Sequence, residues 1–274
     1  MSQPWGYSCK GGLNVNLNQL EMLGQPGFAT RLRNFEVDPD GGYRRINGFT
    51  AFGDTRPNAG NAILGMAVYA DGVIVCSGTD IFFSVDGEDT WLQINRASVD
   101  ASGDNYSTFT GRSVASRTSQ GRCTFALYEG TSDYGELVIC DGVNEPFLFQ
   151  MTGTGGLTSR TFFAKEITVS GTTGPAFGVI HDKHLVVAGA STAKNTIFFS
   201  GTNDIDSFSS TGSGSVVISD AVVGLASFRS DLIIFCKNSI HKLININDSS
   251  TLAVVPITTN VGCVDGGSIQ EVGG

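Results

Sequence analysis

Charge is the scarcest commodity in this sequence. Asp, Glu, Lys and Arg make up 16% of 274 residues, well below the quarter or so of ordinary globular chains. Three histidines and six cysteines leave little metal or redox chemistry to work with, and no pair of cysteines has the CxxC spacing of a zinc site or a dithiol centre. No apolar run approaches the ~18 residues of a membrane-spanning helix, and the leader MSQPWGYSCKGG has no apolar core of a secretory signal. The expectation is a soluble chain with no membrane span. A phosphate-binding P-loop, a G-x-S-x-G elbow and a G-x-G-x-x-G turn before a helix are also missing. Without a nucleophile and base in any recognisable arrangement, no catalytic residue, cofactor or metal is expected.

The charge that is present is unevenly divided. Residues 1–60 carry six Lys or Arg against five Asp or Glu, whereas residues 61–274 carry eleven against twenty-one. An acidic body of this kind argues against sequence-specific reading of nucleic acid, whose phosphates require a basic face.

What fills the gap is turn-forming residue: 36 Gly, with abundant Ser, Thr and Asn between short β-branched and aromatic runs. These runs fall into four sets. The first comprises ILGMAVY (63–69), GVIVC (72–76), IFFS (81–84) and WLQI (91–94). The second is sparser, with strands at 123–128, 137–140 and 147–149. The third spans 177–180, 185–188 and 197–200. The fourth spans 222–228, 232–236 and 240–244, and is followed by 252–257. LGMAVYADGVIV and VGLASFRSDLII share a bulky–Gly–bulky–Ala–x–aromatic pattern, a polar turn and a buried strand. IFFS occurs in both the first and third sets. Sets recur at intervals of roughly 45 to 60 residues, as one antiparallel sheet per unit requires in a propeller. A β-sandwich would show similar strand spacing without similarity between sets. The expected fold is therefore all-β, a β-propeller-like arrangement of short antiparallel sheets with an N-terminal extended arm and hairpin. The expected division is an arm and docking hairpin at 1–60 and blades at 61–274, with the chain extending into further blades. Small residues near the start of each set are expected to let neighbouring backbones approach closely.

Three local patterns refine this. SVDGEDTW (84–91) resembles the Asp-box turn S-x-D-x-G-x-T-W with its glycine one place early, which implies a hairpin and no activity. HDKH (181–184) reads as a solvated turn between strands rather than a zinc site. Cys76, Cys140 and Cys236 each end an apolar run and read as reduced core cysteines. In the arm, DPDGG (38–42) is strong turn chemistry between LRNFEV and YRRINGF, so the two flanks are expected to pair as a hairpin. Arg31, Arg33, Arg44 and Arg45 lie on either side of that turn and form the expected assembly interface.

The same N-terminal stretch resembles that of the tail nozzle proteins of short-tailed bacteriophages, also called tail tubular protein B. The residues that carry the resemblance are Lys10-Gly11-Gly12, Gln25-Pro26, Asn34-Phe35 and Gly41-Gly42-Tyr43-Arg44-Arg45, with looser similarity in FFSGTNDIDSF (198–208), in 222–243 and in 257–274. The resemblance implies a virion structural protein, assembled in the host bacterial cytoplasm. It further implies a homohexameric ring at the tail tip that holds DNA and lets it leave. Its partners are then other copies of itself, the adaptor ring and fibres, and genomic DNA that passes without specific binding. An acidic channel wall suits that last role, because it repels the phosphate backbone. Two readings compete: a phage adhesin whose propeller binds host glycans, and a sialidase-like glycosidase. The latter needs an arginine cluster, for which Arg112, Arg117, Arg122 and Arg160 are available.

Overall fold

Short continuous runs of β-branched and aromatic residues, such as GVIVC and ELVIC, build strands that bury both faces between neighbouring sheets. The computed structural model describes residues 12–13, 28–29, 33–37, 43–46, 48, 56–85, 90–95, 117–130 and 133–270. Its regular structure is all strand, apart from two single 3-10 turns at Leu157–Ser159 and Gly266–Ser268. The chain divides into two compact units, Met1–Ala51 and Phe52–Gly274.

In the first unit, β1 (Gly12–Leu13) pairs in parallel with β2 (Phe28–Ala29). β3 (Phe35–Val37) pairs antiparallel with β4 (Tyr43–Arg45). The hairpin expected around DPDGG is therefore present, although residues 38–42 themselves lie outside the described residues.

Among its described residues the second unit contains four four-stranded sheets, each an antiparallel meander of strands consecutive in sequence. Sheet I holds β5 (Ile63–Tyr69), β6 (Gly72–Ser77), β7 (Asp80–Val85) and β8 (Leu92–Gln93). Sheet II holds β9 (Thr124–Tyr128), β10 (Glu136–Cys140), β11 (Phe147–Thr152) and β12 (Thr161–Glu166). Sheet III holds β13 (Phe177–His181), β14 (His184–Ala190), β15 (Ala193–Phe199) and β16 (Gly214–Val217). Sheet IV holds β17 (Val222–Phe228), β18 (Asp231–Cys236), β19 (Ile240–Ile244) and β20 (Ala253–Thr258).

The first hairpin of sheets I, III and IV is closed by a two-residue turn: Ala70-Asp71, Asp182-Lys183 and Arg229-Ser230. Ala70, Asp182, Lys183 and Arg229 all adopt positive φ, the backbone twist that two-residue hairpin turns demand. The shared polar turn read from the sequence is this feature.

Alternate residues of one strand belong to different cores. Leu137 and Ile139 join Ile74, Cys76, Phe83, Phe149 and Phe162 between sheets I and II. Val138 and Cys140, one residue on, join Leu185, Val187 and Phe198 between sheets II and III. Val186, Ala188 and Phe199 face Leu232, Ile234 and Leu243 of sheet IV. The sheets thus stack face to face in chain order, with sheets II and III each buried between two neighbours, which is the propeller arrangement. The three core cysteines are reduced and buried, one in each core. Within this unit two strands were not foreseen, β12 of sheet II and β16 of sheet III, and in the first unit neither was the parallel pairing of β1 with β2.

Candidate assembly surfaces

Two kinds of surface carry functional candidates: the arginine hairpin and the joints between sheets. In the hairpin, Glu36 pairs opposite Arg44 and Phe35 opposite Arg45. Residues opposite one another in an antiparallel pair share a face, so Arg44 and Arg45 project from opposite faces of the ribbon. Arg44 Nε donates to Glu36 Oε1 at 2.6 Å on the exposed surface. Arg45 shares its face with Phe35, which is 47% exposed, and the adjoining Ile46 is also exposed. Arg33 is exposed in the bend before β3, where Asn34 takes positive φ and its carbonyl accepts from the Ile46 N–H. Arg31 lies outside the described residues. The structure therefore brings Arg33, Arg44 and Arg45 onto one short ribbon but does not gather them on one face. Arg45 with Phe35 makes a mixed apolar and cationic face of the sort interfaces use.

The other arginines serve the body. Arg56 Nη2 donates to the Asn61 carbonyl. Arg117 is wholly buried, with Nη2 2.9 Å from Asp141 Oδ2 and Nη1 3.1 Å from Glu166 Oε1. Asp141 Oδ1 also accepts from the Val143 and Asn144 amides, capping the loop after β10. Arg160 grips Asp71 with both terminal nitrogens, at 2.7 and 2.6 Å. That contact ties sheet II to the first turn of sheet I and holds the Asp71 carboxyl below its ordinary range. Arg122 faces Asp265 at 3.4 Å on the exposed surface, and Arg112 lies outside the described residues. Arg117 and Arg160 thus sit in ion pairs of the scaffold, not in a common sugar-binding cluster.

Every joint between sheets carries polar contacts in addition to its apolar core. Between I and II, the Tyr69 hydroxyl donates to the Gly135 carbonyl at 2.7 Å, and burial pushes Tyr69 up to about 12. Between II and III, Lys165 pairs with Asp206, and Thr124 Oγ1 donates to the Ala176 carbonyl at 3.0 Å. Between III and IV, His181 Nδ1 lies 2.8 Å from Ser227 Oγ, and His184 Nε2 lies 2.9 Å from Asn247 Oδ1. Asn247 in turn donates to Asp182.

The turn itself, Asp182-Lys183, is exposed as expected. The two histidines that flank it are not solvated: both are buried and clasp one sheet to the next. Burial lowers the pKa of His181. Among the described residues no group of three or more His, Cys, Asp and Glu could hold a metal ion. No helix there is long and apolar enough to cross a membrane. Sequence reasoning missed the clasp because its partners, Ser227 and Asn247, lie 46 and 63 residues away.

The Asp-box-like stretch falls where such a motif belongs, between β7 and β8, with Ser84 buried and Trp91 half-buried. Residues 86–89 of it lie outside the described residues. Close approach near the inner strands is also borne out. A Cβ on Gly65 of β5 would stand 2.7 Å from Cys123 Cβ, and one on Gly178 of β13 would stand 2.9 Å from Cys140 Sγ.

Four antiparallel meanders stacked face to face define the class: a β-propeller-like protein. No protein-family model matches the sequence, and no curated protein matches it. Among solved structures, the chain is similar to the N-terminal domain of Nup170 from Chaetomium thermophilum, solved in complex with Nup53. The identity is 13% and the TM-score 0.44, over 74% of this chain and 29% of that one. It is also similar to YCF48 from Cyanidioschyzon merolae, at 12% identity and TM-score 0.41, covering 80% of this chain and 65% of that one. BBS1N in complex with ARL6DN gives 10% identity and TM-score 0.31, covering 74% of each chain. The class assignment stands on sheet topology, and none of these three is a phage tail protein.

Proposed function

We propose that this chain is a non-enzymatic structural subunit of a short-tailed phage tail, part of the nozzle or tail-tip conduit that retains DNA and lets it exit. The observation that carries this reading is the use made of the polar side chains. Arg160, Lys165, His181 and His184 are each committed to holding one sheet against the next. A body tied by polar contacts at every joint suits a rigid wall, since hydrogen-bonded side chains hold the packed sheets in one arrangement. The acidic balance of residues 61–274 suits a surface past which phosphates slide. The resemblance of the arm to nozzle proteins supplies the place in the virion.

In this reading copies of the chain assemble into a ring, six by analogy with the nozzle proteins, and meet the adaptor ring and fibres. The hairpin docks through Arg33, Arg44 and Arg45 together with Arg31. The face carrying Arg45 and Phe35 does most of the binding, because Arg44 already has an acidic partner. Phage lacking the chain are expected to yield heads that fill but lose their DNA. Stable, full virions without the chain contradict the proposal.

A further inference from the structure

We infer that the outer face of sheet IV is the seat of a fifth four-stranded antiparallel sheet, joined in sequence to the segment at residues 262–270. Three observations lead there.

The first is the side of sheet IV turned away from sheet III. The registers place Ile233 opposite Lys242, Phe235 opposite Ile240, and Lys242 opposite Val255. With Phe228, 42% exposed, they form a mainly apolar face crossed by one ion pair, Lys242 with Asp231, and Ile257, 55% exposed, lies beside it at the register shift of β20. None of these side chains belongs to a core cluster.

The second is continuity with the joints already made. Counting from the first hairpin of each sheet, Ile74 and Cys76 of sheet I correspond to Val186 and Ala188 of sheet III. In sheet IV the same positions are Ile233 and Phe235. The four residues in sheets I and III are at most 1% exposed, each facing the next sheet. Ile233 and Phe235 are half-buried. Sheet IV therefore presents, on its far side, the apolar pattern with which sheets I and III receive a neighbour.

The third points to what sits there. Gly65 of β5 and Gly224 of β17 are equivalent: each follows a register shift, opposite Cys76 and Phe235 respectively. The space over Gly65 is taken by Cys123, the residue that leads into β9 of the next sheet, and the Cys123 N–H donates to the Leu64 carbonyl. The space over Gly224 is taken by Ile269, whose Cδ1 would stand 2.4 Å from an added Cβ, with Gly266 Cα at 3.3 Å. Gly266 in turn lies against the carbonyl of Val223, the counterpart of Leu64. Upstream, the Cys263 N–H donates to the Cys236 carbonyl at 2.8 Å, one residue short of the counterpart of Gly78, whose carbonyl accepts from the Gln120 N–H at 2.9 Å. Residues 262–270 thus run over sheet IV as the segment leading into sheet II runs over sheet I. A second copy of this chain is the weaker occupant, because its own lead into β5 would meet residues 262–270 at the inner edge of the seat.

The test uses the protein as its source makes it, with the 274-residue chain as reference. Intact mass is measured alongside hydroxyl-radical footprinting of Phe228, Phe235 and Ile257. The expected result is a mass above 28.8 kDa by at least one repeat, on the order of 5 kDa. With it, the three side chains should oxidise at least about fivefold more slowly than in the reference chain, as covered core groups do. A longer chain in which they stay reactive overturns the proposal. A 28.8 kDa chain also overturns it, whether the face is reactive or is protected only at high concentration by a second copy.

Discussion

Asp141 shows what a single side chain does in this fold. One oxygen caps two loop amides and the other holds the buried Arg117 guanidinium. Asp141→Ala would remove both roles and leave a wholly buried cation with a more distant partner. The expected destabilisation is about 3–5 kcal/mol, the usual cost of breaking a buried pair from one side, read by urea unfolding. Gly65 makes the complementary case, since any side chain there must displace Cys123 Cβ and the Phe125 ring. Gly65→Val is expected to cost about 1–3 kcal/mol through overpacking, whereas Gly60→Ala, with nothing near its added Cβ, isolates the backbone effect of its positive φ. If Gly65→Val unfolds at the same urea concentration as the unsubstituted chain, the close approach of sheets I and II does not hold.

At the scale of elements, the III–IV clasp should respond to acid. Burial lowers the pKa of His181 in the folded chain, so below the ordinary histidine value of ~6.5 the unfolded chain binds the extra proton first. The clasp's contribution is therefore complete above ~6.5 and declines as pH falls below it. His181→Gln is expected to flatten the stability-versus-pH curve below about 6.5, and an unchanged slope would remove His181 as its source. Tyr69 acts at the other end. With its phenol pushed up to about 12, the unfolded chain loses that proton first, and stability falls as pH rises above 10. Tyr69→Phe is expected to remove that decline. The sequence revealed the strands that alternate strongly and the turns that close them, which is why three first hairpins and all of sheets I and IV could be read. It hid β12 and β16: Thr161–Glu166 follows a Gly- and Ser-rich loop, and Gly214–Val217 is four residues with two half-exposed and two exposed. Polar contacts between sheets were hidden for a different reason. His184 and Asn247, or Arg160 and Asp71, are brought together only by stacking, and nothing in local spacing announces it.

At the scale of the whole molecule, a basic-flanked hairpin and an acidic propeller-like body are separate units of one chain. The hairpin's faces differ, so its substitutions should differ too. Arg45→Glu is expected to block tail completion more strongly than Arg44→Glu, whose charge already faces Glu36. Tails that complete normally with Arg31, Arg33, Arg44 and Arg45 all reversed would remove the docking role altogether. The central claim, a conduit subunit in a phage tail, is tested most directly by electron microscopy of virions with the chain located by a bound antibody fragment. The account predicts a closed ring of label about the tail axis at its distal end. Label on projecting fibres, in threefold groups away from the axis, would contradict it and favour the adhesin.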